Sequence, residues 1–326
     1  MMKILLYIVS LWFLFTQVIG SEISGKLKSK VETEYFFEEQ FGKYEAIQKT
    51  KHTSVYNING QLIVKYERDI DKRIDRYLYE YDDMGGLTMV GGDQKIIFWE
   101  NEYDSLGNLI KAIARDDEES PLNNLVHKYD SNRNVIESSY YSEDSERLTK
   151  KTKNKFDSLG HLIDESDYNR KGELAKKSKH TYNSAGNKIK FATYYRDGRV
   201  ISKKIYTYGI SGKLQKVDEY EKNRGLSGGL YMKQKLIYNQ GEYLIELIEY
   251  SEDNLVDWKI TYSIDDRGNT IAFFKYKSGQ SLMYKGTFKY DENNRIIEQL
   301  SYEYKDIYGE RKAIPFEKIS YKYEYH

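Results

Sequence analysis

The sequence predicts an all-β protein: a repeat-built antiparallel β-meander of about twenty strands that curls into an open or partly closed spiral sheet. Three observations predict it. One turn motif recurs along the chain, a second turn falls midway between many copies, and apolar and polar residues alternate between the turns. The 33 tyrosines also suit a half-buried sheet, where the ring packs and the hydroxyl stays near water.

The recurring motif is an aromatic residue, then Asp or Asn, two or three turn residues, Gly or Asn, and an apolar residue followed by Ile. One copy runs from Tyr103 to Ile110, and successive copies start 22 to 30 residues apart. A period that holds this well indicates a repeat architecture. The ten copies start at Tyr56, Tyr81, Tyr103, Tyr129, Phe156, Tyr182, Tyr208, Tyr238, Ile264 and Tyr290.

The residues of the motif are typical of a hairpin turn. Asp104 and Asp157 suit the first position of a type I turn, where the carboxylate accepts a backbone N–H two residues on. A glycine three residues later supplies the left-handed conformation that closes the hairpin with a bulge. The predicted turn glycines, together with one in a mid-unit turn, are Gly60, Gly107, Gly160, Gly186, Gly198, Gly212 and Gly268.

Two turns are expected to differ. Arg133 stands where the motif has Gly, which predicts a shifted register in that hairpin. Asp197-Gly198, midway through a unit, is typical of a tighter two-residue hairpin. Turn signals 12 to 14 residues apart, as from Gly160 to Gly172 and on to Gly186, leave segments the length of one strand. Segments such as 318–325 alternate strictly, so each strand has one packed face and one wet face.

The N-terminus predicts export. Lys3 precedes an apolar run over residues 4–15, and small residues stand at the end of the polar stretch that follows, which is typical of a signal peptide over residues 1–20 with cleavage near Gly20. Residues 21–50 are expected to form a polar segment, frayed up to Lys30, and a partial first unit. Residues 51–326 form the repeat array. The mature chain has no second apolar run, which predicts no transmembrane segment and a secreted, periplasmic or cell-surface location.

The motif resembles the YD repeat of the RHS family, found in large bacterial surface and toxin proteins and in animal teneurins. The resemblance covers residues 50–325, and the mid-unit element around Asp197 also resembles MORN-type and YwqK-type repeats. It implies a curling antiparallel sheet, which large RHS proteins wind into a shell around a toxic C-terminal domain. The family's Asp-Pro cleavage motif is missing here, since neither Pro121 nor Pro315 follows Asp, so the toxin-delivery role is not carried over.

Composition argues against several chemistries. The 51 basic and 51 acidic residues balance, which disfavours nucleic acid as a partner. Cysteine is absent, and the five histidines lack the spacing of a metal site. Four of the six residues in the acidic pairs at 82–83, 116–117 and 265–266 fall in predicted turns, where capping is the ordinary role. We therefore predict no catalytic, cofactor-binding or metal-binding residues and no cofactor.

The function predicted from the sequence is a non-catalytic binding or structural module with a protein or polysaccharide partner. The tyrosines either form cross-strand ladders or an exposed strip that stacks on a sugar or a partner. A meander also leaves two open edges, to which a partner strand could be added. The alternatives are a secreted enzyme that acts on glycans and a relative of an RHS toxin-associated protein without its toxin tail.

Overall fold

The computed structural model describes residues 27–40, 43–68, 74–92, 95–142, 147–222, 229–278 and 281–325. Throughout these ranges the chain is β-strand and turn. The predicted signal peptide lies outside them. Among the described residues, no helix has the length and apolar character needed to cross a membrane.

The described residues form 22 strands, which confirms the predicted all-β meander. They are β1 (Leu27–Gln40), β2 (Lys43–Tyr56), β3 (Leu62–Arg68), β4 (Ile74–Tyr81), β5 (Leu87–Gly91), β6 (Ile96–Tyr103), β7 (Leu109–Asp116), β8 (Pro121–Tyr129), β9 (Val135–Ser142), β10 (Leu148–Phe156), β11 (Leu162–Asn169), β12 (Leu174–Tyr182), β13 (Lys188–Tyr195), β14 (Val200–Tyr208), β15 (Leu214–Lys222), β16 (Leu230–Tyr238), β17 (Leu244–Tyr250), β18 (Val256–Ile264), β19 (Thr270–Lys277), β20 (Leu282–Tyr290), β21 (Ile296–Ile307) and β22 (Glu310–Tyr325).

The sheet closes on itself. Each strand pairs antiparallel with the next strand along the chain, and β1 pairs with β2 on one side and with β22 on the other. Thr33 of β1, for example, lies opposite Lys51 of β2 and Ser320 of β22. The predicted open or partly closed spiral and its two free edges are therefore wrong, because the long first and last strands satisfy each other's backbone groups.

Because the sheet closes, part of the N-terminal segment that was expected to be frayed belongs to a strand. Leu27 to Lys30, which were expected to be frayed, are the first residues of β1. Lys30 lies opposite Tyr323 in β22. The polar stretch is ordered there because its backbone completes the ring.

The sheet is a single layer with a thin core. Among the described residues, nine hydrophobic side chains are buried: Met89, Ala114, Ala192, Val217, Leu236, Leu247, Ile260, Phe288 and Ile319. The largest continuous cluster is a cross-strand row on β15 to β17, where Val217 lies opposite Leu236 and Leu236 opposite Leu247. Each strand packs chiefly on its two neighbours, so we expect stability to be a sum of neighbouring-strand terms.

Every repeat turn is followed by a register shift. In the first unit Val55 lies opposite Val64, but Tyr56 lies opposite Leu62, so Ile63 is an extra residue on the returning strand. The same shift occurs at all ten residues that start a copy of the motif, nine aromatic residues and Ile264. Such bulges bend a strand and increase its twist, which favours curling of the sheet.

A proline in β1, the strand that pairs with both β2 and β22, tests the closure of the sheet. We expect Thr33→Pro to remove a ladder hydrogen bond of β1 and to lower amide hydrogen-exchange protection in β1, β2 and β22, while β10 to β13 keep theirs. Ser158→Pro is the control, because Ser158 is the second residue of a type I turn, where proline is favoured. A uniform loss of protection around the ring in Thr33→Pro would contradict the expectation that stability is a sum of terms between neighbouring strands.

Candidate functional site

The repeat turn is built around one acidic or amide side chain. At Asp104, Oδ1 accepts the backbone N–H groups of Leu106 and Asn108, both at 2.9 Å. The backbone closes the hairpin with bonds from Asp104 N to Asn108 O at 2.9 Å and from Gly107 N to Asp104 O at 3.0 Å. One side chain therefore satisfies two backbone donors that the turn would otherwise leave unpaired.

The second predicted cap, Asp157, has the same geometry. Its Oδ1 accepts the N–H groups of Leu159 and His161, both at 2.9 Å, and its Oδ2 lies 3.0 Å from Nδ1 of the His161 ring. All seven predicted turn glycines have positive φ, from 78° to 89°. Only glycine adopts this conformation without strain, which explains its place in the motif.

The two turns expected to differ do not. Arg133 adopts φ 65° and its N–H donates to Asp130 O at 3.1 Å, so that hairpin keeps the common register. The bonds that Asp130 accepts from the turn backbone offset the cost of a non-glycine residue there. Gly198 N donates to Tyr195 O at 3.0 Å, so the mid-unit turn is the same four-residue turn and not a two-residue hairpin.

Hydrogen bonds within the turn lower the pKa of the capping carboxylates. The side-chain and backbone hydrogen bonds from Asn108 lower the pKa of Asp104. The backbone hydrogen bond from His161, together with the His161 ring, lowers the pKa of Asp157. Each carboxyl is therefore held in its charged form by the turn that it caps.

The repeat tyrosines reach across to the preceding unit. Tyr129 donates its hydroxyl proton to the carbonyl of Leu109 at 2.8 Å, and Tyr182 donates to the carbonyl of Leu162 at 2.9 Å. The same bond is made by Tyr81 to Leu62, Tyr208 to Lys188, Tyr290 to Thr270 and Tyr323 to Ile296. We call this bond the tyrosine clamp.

The clamp has a simple physical cause. Strand β7 begins at Leu109, but its pairing with β8 begins at Lys111, because the bulge and the twist separate the two strands near the turn. The carbonyl of Leu109 therefore has no partner in the β7–β8 ladder. The hydroxyl of Tyr129, the last residue of β8, donates a hydrogen bond to it instead. The offset of two residues recurs at Leu162, Lys188, Thr270 and Ile296.

At two units an asparagine makes the bond in place of the tyrosine. Phe156 has no hydroxyl, and Asn154, two residues earlier on the same face, donates its amide to the carbonyl of Val135 at 2.9 Å. Tyr103 donates instead to Oδ2 of Asp82 at 2.8 Å, and Asn101 bonds the carbonyl of Leu87 at 3.1 Å. Burial and the Asp82 carboxylate raise the pKa of Tyr103 to about 12.

The two remaining repeat tyrosines have other surroundings. Tyr238 packs against the buried cluster of Val217, Leu236 and Leu247, and burial raises its pKa. Tyr56 closes β2 beside the first repeat turn. The repeat aromatics therefore lie along one rim of the ring, each at the end of a strand.

A second periodic set of residues was missed by sequence reasoning. On five hairpins a lysine lies directly opposite a tyrosine: Lys151 and Tyr168, Lys177 and Tyr194, Lys203 and Tyr220, Lys259 and Tyr276, Lys285 and Tyr302. We call this set the Lys–Tyr ladder. Its signal is in the sequence, because these lysines recur with the period of the motif, but the pairing depends on the register.

The ladder is held by charge as well as by ring contacts. The ammonium of Lys203 lies 4.4 Å from the centre of the Tyr220 ring, a cation–π contact. Lys177 pairs with Asp164 at 2.8 Å and Lys151 with Glu137 at 3.5 Å. The tyrosines thus serve the sheet in two ways, through backbone clamps on the rim and through lysine pairs on one face.

The other candidate groups have structural partners. Asp82, Asp116 and Asp265 each accept two backbone N–H groups of their turn. His127 shares a 2.9 Å hydrogen bond with Ser138. Within the ranges that the structure describes, no cluster of three or more His, Asp or Glu side chains has the arrangement of a metal site.

No protein-family model matches the chain, and no curated protein matches it. Solved structures that resemble it include TcdB2-TccC3 without its hypervariable C-terminal region, at 12% identity and TM-score 0.30, where the match covers 79% of this chain and 17% of that one. A porin-like protein from Bacteroides uniformis has 12% identity and TM-score 0.30, with 90% and 97% covered. One from Bacteroides vulgatus has 9% identity and TM-score 0.21, with 92% and 99% covered. We draw no functional conclusion from similarities at this level.

Removing one clamp hydroxyl tests its contribution. We expect Tyr129→Phe to lower the free energy of unfolding by about 1 kcal/mol, because the Leu109 carbonyl loses its donor. Phe156→Tyr should give no gain, since Asn154 already bonds the carbonyl of Val135. Chemical denaturation measures both, and an unchanged Tyr129→Phe midpoint would show that the clamp adds nothing.

The lowered pKa values of the capping carboxylates predict that the free energy of unfolding falls at acidic pH. Their folded pKa lies below the unfolded value of about 4, so the stability they contribute is complete above that pH and is lost as the pH falls through the folded pKa. We expect Asp104→Asn with Asp130→Asn to flatten the fall in unfolding free energy between about pH 5 and pH 3. Asp83→Asn with Asp266→Asn, at exposed turn positions beside the caps, is the control. An equal effect of the control pair would contradict the assignment.

Proposed function

We propose that the chain is an exported, non-catalytic repeat protein that acts as a binding module at the cell envelope or outside the cell. The observation that carries the proposal is the Lys–Tyr ladder, which presents the same pair of groups on three hairpins in a row and, after the β16–β17 hairpin, on two more. Export is supported by the apolar run and small-residue break of residues 1–20. The repeat-wide use of acidic side chains as turn caps supports a non-catalytic role.

The ladder is accessible to a partner. Lys151, Lys177 and Lys259 keep 28%, 33% and 37% of their side chains exposed. Their exposed ammonium groups can donate to a partner's oxygens while each carboxylate partner remains in place. The phenol rings beside them add apolar surface and further hydrogen bonds.

The geometry favours an extended partner. Ladder pairs on neighbouring hairpins lie two strands apart, which is about 9.5 Å across a sheet, and the β16–β17 hairpin interrupts the row. A row of equal, individually weak sites binds a chain molecule through many simultaneous contacts. Because β1 and β22 close the ring, the partner contacts side chains and does not add a strand. We propose a polysaccharide or a protein with a regular surface as that partner.

Affinity capture with matched variants tests the proposal. Tagged residues 21–326 are crosslinked to an envelope extract of the native cell, and the retained species is identified. We expect one reproducible polysaccharide or protein, lost when Lys151, Lys177 and Lys203 are all changed to Gln. Changing the exposed Lys155, Lys171 and Lys213 to Gln removes the same charge away from the ladder and should leave capture intact.

Two outcomes would contradict the proposal. Equal capture by the ladder variant and the control variant would remove the ladder from the binding surface. Shortening of an added polysaccharide by the purified chain would replace the binding module with a glycan-active enzyme.

A further inference from the structure

One repeat unit departs from the pattern of the others. The turn after β14 starts with Gly209 instead of Asp or Asn, although its backbone bonds, from Gly209 N to Lys213 O at 2.8 Å and from Gly212 N to Gly209 O at 2.9 Å, are the common ones. The second residue of β15 is Gln215. Eight of the other nine units have isoleucine there: Ile63, Ile110, Ile136, Ile163, Ile189, Ile245, Ile271 and Ile297.

The two departures are coupled. A Cβ at Gly209 would clash with the side-chain amide of Gln215. Glycine therefore makes room for an amide that lies over the turn, where other units have a capping side chain and an isoleucine. This unit therefore lacks both the capping side chain and the isoleucine of the other units, and it has the amide of Gln215 in their place.

A groove of about 560 Å³ lies beside this turn, which is within the range of small-molecule sites. It spans β14, β15, β16 and the start of the next turn. Its polar lining consists of Thr207, Gln215, Lys216, Lys235, Asn239 and Gln240. Hydroxyl and amide groups thus surround two ammonium groups.

The charges in and beside the groove leave one ammonium unpaired. Lys216 pairs with Asp218 at 2.7 Å, and Asp218 is only 6% exposed. Lys235 lies opposite Asp218 across the β15–β16 ladder, but no ion pair to it is present within the part of the chain that the structure describes. The next carboxylate along that face, Glu246, pairs with Lys259 at 3.8 Å. Glu242, in the next turn, accepts the N–H of Leu214 at 2.9 Å and places a second carboxylate beside the groove. Among the described residues, Lys235 is therefore the groove's ammonium without an ion pair, with the carboxylates of Asp218 and Glu242 nearby.

We propose that this groove binds a small polyhydroxylated monocarboxylate, the chemistry of a sugar acid. The Lys235 ammonium takes the carboxylate, because it is the groove's cation without an ion pair among the described residues. Thr207 and the amides of Asn239 and Gln240 bond the hydroxyl groups. The nearby carboxylates of Asp218 and Glu242 repel a phosphate dianion more strongly than a monoanion. The site uses none of the ladder residues, so it stands independently of the partner proposed above.

Calorimetric titration of residues 21–326 with three matched probes tests the site. The probes are D-glucuronate, the uncharged D-glucose and the dianionic D-glucose 6-phosphate. We expect saturable binding of D-glucuronate, with both other probes weaker by about tenfold or more, the effect of a lost charge-assisted hydrogen bond. Equal or tighter binding of either comparison probe, or no binding of D-glucuronate, would overturn the proposal.

Variants assign the binding to the groove. Lys235→Gln should weaken D-glucuronate binding by about tenfold, whereas Lys179→Gln, at the same place before the repeat tyrosine of another unit, should not change it. Gln215→Ile restores the residue of the other units and should weaken binding with an unchanged thermal midpoint. Equal weakening by the two lysine variants would overturn the assignment. The ladder variant, in turn, should still bind D-glucuronate.

Discussion

The bulge beside each repeat turn is the constraint on which the rest of the sheet depends. A left-handed residue closes the turn, and an extra residue on the returning strand shifts its register. The following strand therefore starts to pair two residues late, which leaves one carbonyl outside the ladder at every unit. The tyrosine clamp, or its asparagine replacement, supplies the missing donor at eight of the ten units. Six of the 33 tyrosines thus meet a requirement of the backbone.

Closure accounts for the thin core. A single layer of 22 strands buries few side chains, so cross-strand pairs, caps and clamps carry a share of stability that a packed core carries in other proteins. Because β1 and β22 pair, no terminal strand is left as a template for another chain. The surface available for recognition therefore consists of side chains on the two faces and of the turns on the two rims.

A regular repeat makes its exceptions informative. The Lys–Tyr ladder follows the period and offers many equal sites, which fits an extended partner. Gly209 and Gln215 break the period together, beside the groove that contains the unpaired Lys235. Neither change improves the turn or the packing of the sheet, since one removes a cap and the other an apolar side chain.

Local sequence signals predict the all-β meander, an approximate strand number and the turn residues, because these depend on contacts between residues a few positions apart. Asp104, Gly107 and the alternation of the strands indicate hairpins without knowledge of the fold. Long-range contacts establish that the ring closes, that Asn154 replaces a hydroxyl absent from Phe156, and that Lys203 faces Tyr220. Those contacts join residues on neighbouring or distant strands, and a shift of one residue in register would send each side chain to the other face.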